Sequence, residues 1–154
     1  MPSLPLCDAV PDARLRLIAD SYRRLTGKVL VSVASGDTEA LRQAMWDAPR
    51  AIVAHGTEDD PVFFYANRLA LELFEMSFED FTCLPSRYSA EPIERDARAR
   101  LLEQVARRGY VDDYSGVRIA ASGRRFMIEA GTVWNLADKA GICHGQAATF
   151  TAQR

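Results

Sequence analysis

The stretch from Val62 to Phe81 constrains the fold more than any other, because its hydrophobic period changes abruptly in the middle. Val62-Phe63-Phe64-Tyr65 is strand-prone, whereas Leu69, Leu73, Phe74 and Met76 recur at helical spacing. Asn67 stands at the junction, where its side-chain oxygen can accept from the unpaired amides of a first helical turn. Ser77 restarts the pattern with Asp80 behind it, an approximate capping box, and Phe81 closes a second short helix. A strand that runs through Asn into two short helices is the central crossover of an α+β domain.

The rest of the chain surrounds that crossover. Pro11-Asp12 starts a helix with Asp12 as its cap, Leu15, Ile18, Tyr22 and Leu25 form its apolar stripe, and Gly27 ends it. Such a stripe packs either on the domain's own sheet or on the same helix of a second copy. Val29 to Val33 is a short extended run. Asp37 or Thr38 caps a second helix bearing Leu41, Ala44, Met45 and Ala48, which Pro49 stops. Arg50 to His55 is a strand, and the acidic turn from Gly56 to Pro61 leads into the crossover. Glu58, Asp59 and Asp60 are adjacent rather than spaced like calcium ligands, so they read as a solvated turn.

Beyond the crossover, Ser89 caps a long helix with Pro92 in its first turn and Ile93, Ala97, Leu101 and Val105 on one stripe. From Tyr110 the period falls to two: Tyr110–Ala120 and Arg124–Leu136 form a hairpin around Ala121-Ser122-Gly123, and Ile142–Thr151 is the last strand. Strict alternation puts Phe126, Ile128, Ala130, Thr132 and Trp134 on one face of the second of these strands. The domain layout expected is a flexible tail (1–11), an N-terminal helical extension (12–48) and a core (49–151).

Bulk properties narrow the partners. The chain has 154 residues, enough for one real core, and a formal net charge of −2, so no global field draws it to nucleic acid or to anionic lipid. Each Arg pair has acidic residues nearby. Cys7, Cys83 and Cys143 are odd in number and lack metal-type spacing, which points to a reducing, cytoplasmic setting. No run approaches a transmembrane length, and Leu4-Pro5-Leu6-Cys7 has no basic or apolar region before it.

The order of elements, two strands, short helices, a long helix and a three-strand meander, is that of the PAS fold: a five-stranded antiparallel sheet with helices on one face. The runs Ala54-His55-Gly56-Thr57, Tyr65-Ala66-Asn67-Arg68, Glu72 to Ser77, Leu84-Pro85-Ser86-Arg87, Val133-Trp134-Asn135-Leu136 and His144 to Ala148 resemble the MEKHLA domain. That PAS-like family occurs alone in bacteria and at the C-terminus of plant homeodomain–leucine zipper proteins. The likeness spans roughly Leu15 to Phe150. It implies a bacterial single-domain form acting as a sensory or dimerisation-controlling module, whose signal leaves through a separate protein partner or through its own oligomer.

On that reading the expected ligand pocket is lined by His55, Asn67, Arg118, Phe126, Glu129, Trp134 and His144, between the sheet and the helices from Asn67 to Arg108. A small apolar or mixed-polarity ligand would sit there, its identity and any cofactor being unspecified by the residues. The N-terminal helix would carry the signal, as a homodimer contact or to a partner. If the first and last strands are neighbours, His55 and His144 approach each other, and with Cys143 they form a two-His metal or haem redox site; the alternative is two strand histidines bonded to backbone. Flavin photochemistry needs a Cys where Ser86-Arg87-Tyr88 places Ser86, with Cys83 three residues early. Cys83 is therefore the candidate redox thiol, against an inert buried one. His55 with Glu129 and His144 with Asp138 are the pairs an enzyme could use, but neither sits in a recognised motif, and no catalytic residue is expected.

Overall fold

The fold was obtained as a computed structural model that describes residues 10–33, 37–89 and 95–153. Its helices are α1 (Asp12–Thr26), α2 (Thr38–Trp46), α3 (Arg68–Phe74), α4 (Phe78–Phe81) and α5 (Arg95–Arg108), with a 3-10 turn at Ser86–Ser89. Its strands are β1 (Ala51–His55), β2 (Phe63–Ala66), β3 (Tyr110–Ile119), β4 (Arg125–Ala137) and β5 (Cys143–Gln153). They form one antiparallel sheet in the order β2-β1-β5-β4-β3, so the first and last strands are neighbours. The α+β, PAS-like architecture expected from the order of elements is the one observed.

Asn67 does far more than cap a helix. Its Oδ1 accepts from Ala70 N at 3.1 Å, which starts α3, and from Ile52 N at 3.0 Å on β1. Its Nδ2 donates to the carbonyls of Met45 (3.0 Å) and Arg50 (2.8 Å). The side chain is fully buried, and these bonds satisfy both acceptor and both donor positions of the amide. Asp37 caps α2 through Glu39 N and Ala40 N, and Ser77 caps α4 through Asp80 N, as their positions imply. Asp12 does not cap α1: Pro11 holds the cap position, and the Asp12 carboxylate accepts from Arg42 instead. Residues 27–33 contain no strand, and Val29 is 62% exposed.

Helices cover both faces of the sheet, one more layer than the expected arrangement. On the inner face, Ala51, Val53, Phe63, Phe126, Ile128 and Phe150 pack against Leu73, Phe74 and Phe81 of α3 and α4. On the outer face, Ile52, Ala54, Tyr65, Trp134, Leu136 and Ala147 pack against Leu15, Ile18 and Tyr22 of α1 and Leu41, Met45 and Trp46 of α2. Leu15, Ile18 and Tyr22 of the α1 stripe thus lie buried on its own sheet. Val10, assigned to the tail by its position, is 3% exposed within the outer layer, where its carbonyl accepts from Arg42. Cys7, Pro92 and Ile93 lie outside the described residues; Leu101 and Val105 of α5 are buried.

Both layers are possible because β3 and β4 each carry a bulge. Ala130 has φ +50°, and the β4–β5 register slips between Glu129 and Thr132. Arg50 holds the site open, donating to the Ala130 carbonyl at 2.6 Å. An inserted residue reverses the alternation beyond it. Phe126 and Ile128 face inward, but Trp134 faces α1, where its Nε1 donates to Ser21 Oγ at 2.9 Å and its ring stands edge-on to Tyr22. Strict alternation had put all of these on one face.

Two substitutions test this account. Asn67→Ala strands two amides and two carbonyls, and should cost about 3–5 kcal/mol in urea unfolding; Asn67→Asp should cost about as much, because a carboxylate cannot donate to Met45 and Arg50. An Asp variant within roughly 0.5 kcal/mol of the parent would contradict the donor roles. Ser21→Ala leaves a buried indole N–H unpaired and should cost about 1–3 kcal/mol, with a shift in tryptophan emission.

Candidate functional site

Between the inner face of the sheet, the 3-10 turn and α5 lies a cavity of about 70 Å³. Its walls are apolar where Phe74, Ile128 and Phe150 line it, and polar where Ser86, Ser89, Tyr114, Arg118, His55 and Gln146 do. Ser86 and Ser89 are buried, and Ser89 Oγ donates to the Ser86 carbonyl at 2.7 Å. Arg118 is half-buried; its Nη1 donates to Val117 O at 3.0 Å and its Nη2 to Tyr114 Oη at 3.2 Å. At the other end, His55 Nδ1 lies 3.0 Å from Gly56 O and the imidazole stands edge-on to Phe63. Gln146 Nε2 donates to Asn135 Oδ1 at 3.2 Å.

Of the residues expected to line a pocket, the structure brings His55 and Arg118 to this cavity. Asn67 is spent on the backbone. Phe126 is core, packed edge-on against Phe74 at 5.1 Å. Glu129 lies beside the bulge, paired across the sheet with Thr151, and does not line the cavity. Trp134 is on the opposite face under α1. The residues not anticipated are Tyr114, Ser86, Ser89 and Gln146. Tyr114 was detectable: Tyr114, Gly116 and Arg118 alternate along one strand, so one inward side chain implies the others. The serines come from a connector without periodicity.

His144 is also elsewhere. The register pairs His55 with Gln146, and a Cβ on Gly145 would lie 2.1 Å from the His55 carbonyl oxygen. Gly145 takes φ +143°, and the β5 register on β4 slips between Gln146 and Cys143, around His144. His144 Nε2 lies 2.9 Å from Asp138 Oδ2 in an exposed groove beside α1, lined by Arg14, Leu17 and Glu58. The two histidines therefore line different cavities. Among the described residues no three His, Cys, Asp or Glu side chains gather as a metal site would need. Cys83 is exposed and lines no part of the cavity, and Cys143 is exposed too. Ser86 is the cavity-facing residue at the place a photoactive Cys would need.

Comparison with known proteins gives the family. The family model described as the MEKHLA domain matches residues 12–154. The chain belongs to the MEKHLA domain family. Among curated MEKHLA relatives, the homeobox-leucine zipper protein HOX10 of Oryza sativa subsp. indica is 28% identical over 124 residues, covering 79% of this chain and 14% of the rice protein. The bacterial single-domain setting implied by the resemblance has no support from that plant relative. The PAS domain of a protein from Colwellia psychrerythraea superposes with a TM-score of 0.63 at 14% identity, over 72% of this chain and 92% of that one. The PAS domain of a LuxR-family transcriptional regulator from Burkholderia thailandensis, in complex with ethanol, does so with a TM-score of 0.57 at 18% identity, over 72% and 95%. These structures show the shared PAS fold. No helix among the described residues is long and apolar enough to cross a membrane.

Three surface carboxylates of the MEKHLA chain have depressed pKa values. Asp138 is lowered first by the hydrogen bond from His144 and then by Ile142 N–H. Glu75 is lowered by Ser122 and then Arg124, and Glu58 by its own and the Val62 backbone N–H. A depressed carboxylate contributes stability that is present above its unfolded pKa and lost as pH falls through the folded value. Thermal stability should therefore fall below about pH 4.5, where ordinary carboxylates titrate. The pair of substitutions Asp138→Asn and Glu75→Gln should flatten that acid limb while lowering the plateau at neutral pH. An unchanged limb would exclude these groups as its source.

Proposed function

We propose that the chain is a non-enzymatic, cytoplasmic sensory and protein-interaction module, in which a small molecule in the inner cavity biases the docking of α1 on the outer face. The observation that carries this reading is how little separates the two places. Ala54 and Ala147 border the cavity and also belong to the apolar cluster under α1. Strands β1 and β5 thus form the floor of the cavity and the bed of the helix at once. A displacement of either strand reaches both layers.

The cavity's size favours a small ligand, because about 70 Å³ is room for a few waters or a molecule of a few heavy atoms. The ethanol-bound neighbour from Burkholderia thailandensis shows a PAS fold with a ligand of the permitted scale. Leu15, Ile18 and Tyr22 are buried on the sheet, so a homodimer or protein partner reaches them only when α1 lifts away. A ligand that binds the docked and undocked states unequally shifts that equilibrium by its difference in affinity, which unites sensing with control of association.

The coupling can be tested without knowing the ligand. Ala148 lines the cavity and stands between Val53 and Val133 in the sheet, so Ala148→Leu fills the space from within. The variant should keep the fold, at a cost of about 1–3 kcal/mol for overpacking. Amide hydrogen exchange along α1 should change severalfold relative to the change in α5. Exchange in α1 that follows global stability alone would refute the coupling.

A further inference from the structure

The cavity lining contains, among the described residues, Arg118 and no Asp or Glu. Among the described residues the Arg118 guanidinium meets a carbonyl and a phenol oxygen, and no carboxylate. Those two bonds use two of its five N–H donors. A half-buried cation beside apolar walls is stabilised by an anion, because the surroundings replace its lost hydration poorly.

The sheet is shaped to hold that cation in place. Tyr114, Gly116 and Arg118 share the inner face of β3, which the register sets beside Gly131 and Ile128 of β4. A Cβ on Gly116 would lie 2.5 Å from Tyr114 Oη and 3.4 Å from Arg118 Nη1. One on Gly131 would lie 3.0 Å from the Tyr114 carbonyl. The missing side chain at Gly116 leaves the room in which phenol and guanidinium lie together, and the phenol fixes the fork. Any other residue there would push them apart.

From this the geometry points to a small monocarboxylate, of formate to acetate size, as the class of ligand the cavity recognises. The inference rests on the sensing role proposed above and narrows it. A planar guanidinium with free N–H groups matches a carboxylate in two parallel bonds. The walls at Phe74, Ile128 and Phe150 suit a short alkyl end. A volume of about 70 Å³ suits a short monocarboxylate better than a di- or tricarboxylate.

The test is an amide-resolved NMR titration of the full chain with sodium acetate, with acetamide and ethanol as neutral probes and sodium chloride at matched ionic strength as control. Acetate should move the amides of Gly116, Arg118 and Gly131 saturably, and acetamide at least tenfold more weakly. Arg118→Gln should weaken acetate at least tenfold, and Arg118→Lys should fall between, since charge remains and the fork is lost. Should Arg118→Gln fail to fold, Tyr114→Phe keeps the charge but frees the guanidinium, and should weaken acetate severalfold. Acetate binding undiminished in these variants, or neutral probes binding as tightly as acetate, would overturn the carboxylate assignment and leave small-ligand sensing standing. If none of the three probes moves a cavity amide, small-ligand sensing falls as well.

Discussion

One buried amide holds the fold's two halves in register. Asn67 joins the C-terminus of α2 through Met45 O, the entry to β1 through Arg50 O and Ile52 N, and the start of α3 through Ala70 N. Its own N–H donates to Ile52 O at 3.0 Å, so it also closes the β1–β2 ladder. A hydrophobic side chain could fill the same volume, but it would leave four backbone groups without partners in a dry interior. The residue is therefore fixed by hydrogen-bond accounting rather than by packing. With Asn67 in place, α2 lies on the outer face while α3 departs across the inner one. The sheet is committed to two coverings at its first strand.

The bulge at Ala130 makes the far side of the sheet obey the same division. Before it, β4 offers Phe126 and Ile128 to the inner layer; after it, Trp134 and Leu136 belong to the outer one. A strand without the inserted residue would put Trp134 into the inner layer and leave α1 without its largest contact. Arg50 stabilises the bulge from β1's approach, through Ala130 O and the Thr149 hydroxyl at 3.4 Å. Asn67 and Arg50 are therefore parts of one arrangement. The Arg50 carbonyl accepts from Asn67 and its guanidinium reaches across β5 to β4.

What could be read in the sequence follows from which interactions are local. The crossover, the caps at Asn67, Asp37 and Ser77, the Gly27 stop and the β3–β4 hairpin depend on neighbours a few residues away, and all were legible. The faces of β4 were not. Nothing in Glu129-Ala130-Gly131 announces an extra residue, because Ala130 is not a type that favours positive φ, and the bulge is held by Arg50 from a distant segment. A single unseen insertion moved Trp134 out of the expected pocket. Arg118 and His55 line the cavity, although β1 has a register shift at His55. Glu129 stands at the β4 bulge and does not line it.

The histidines show how one glycine decides chemistry. Neighbouring strands β1 and β5 made a His55–His144 pair plausible, and the register misses it by only two positions. The β1–β5 pairing ends with the Gly145 Cα pressed against the His55 carbonyl, a contact that a Cβ would violate at 2.1 Å. The β1–β5 ladder ends there, while β5 runs on along β4 to the Ala137–Cys143 pair through a register slip that brings His144 to Asp138. His55 stays at the inner cavity beside Gln146. His55 thus lines the inner cavity, while His144 lines the groove beside α1. Among the described residues, that leaves the inner cavity with Arg118 as its principal charge.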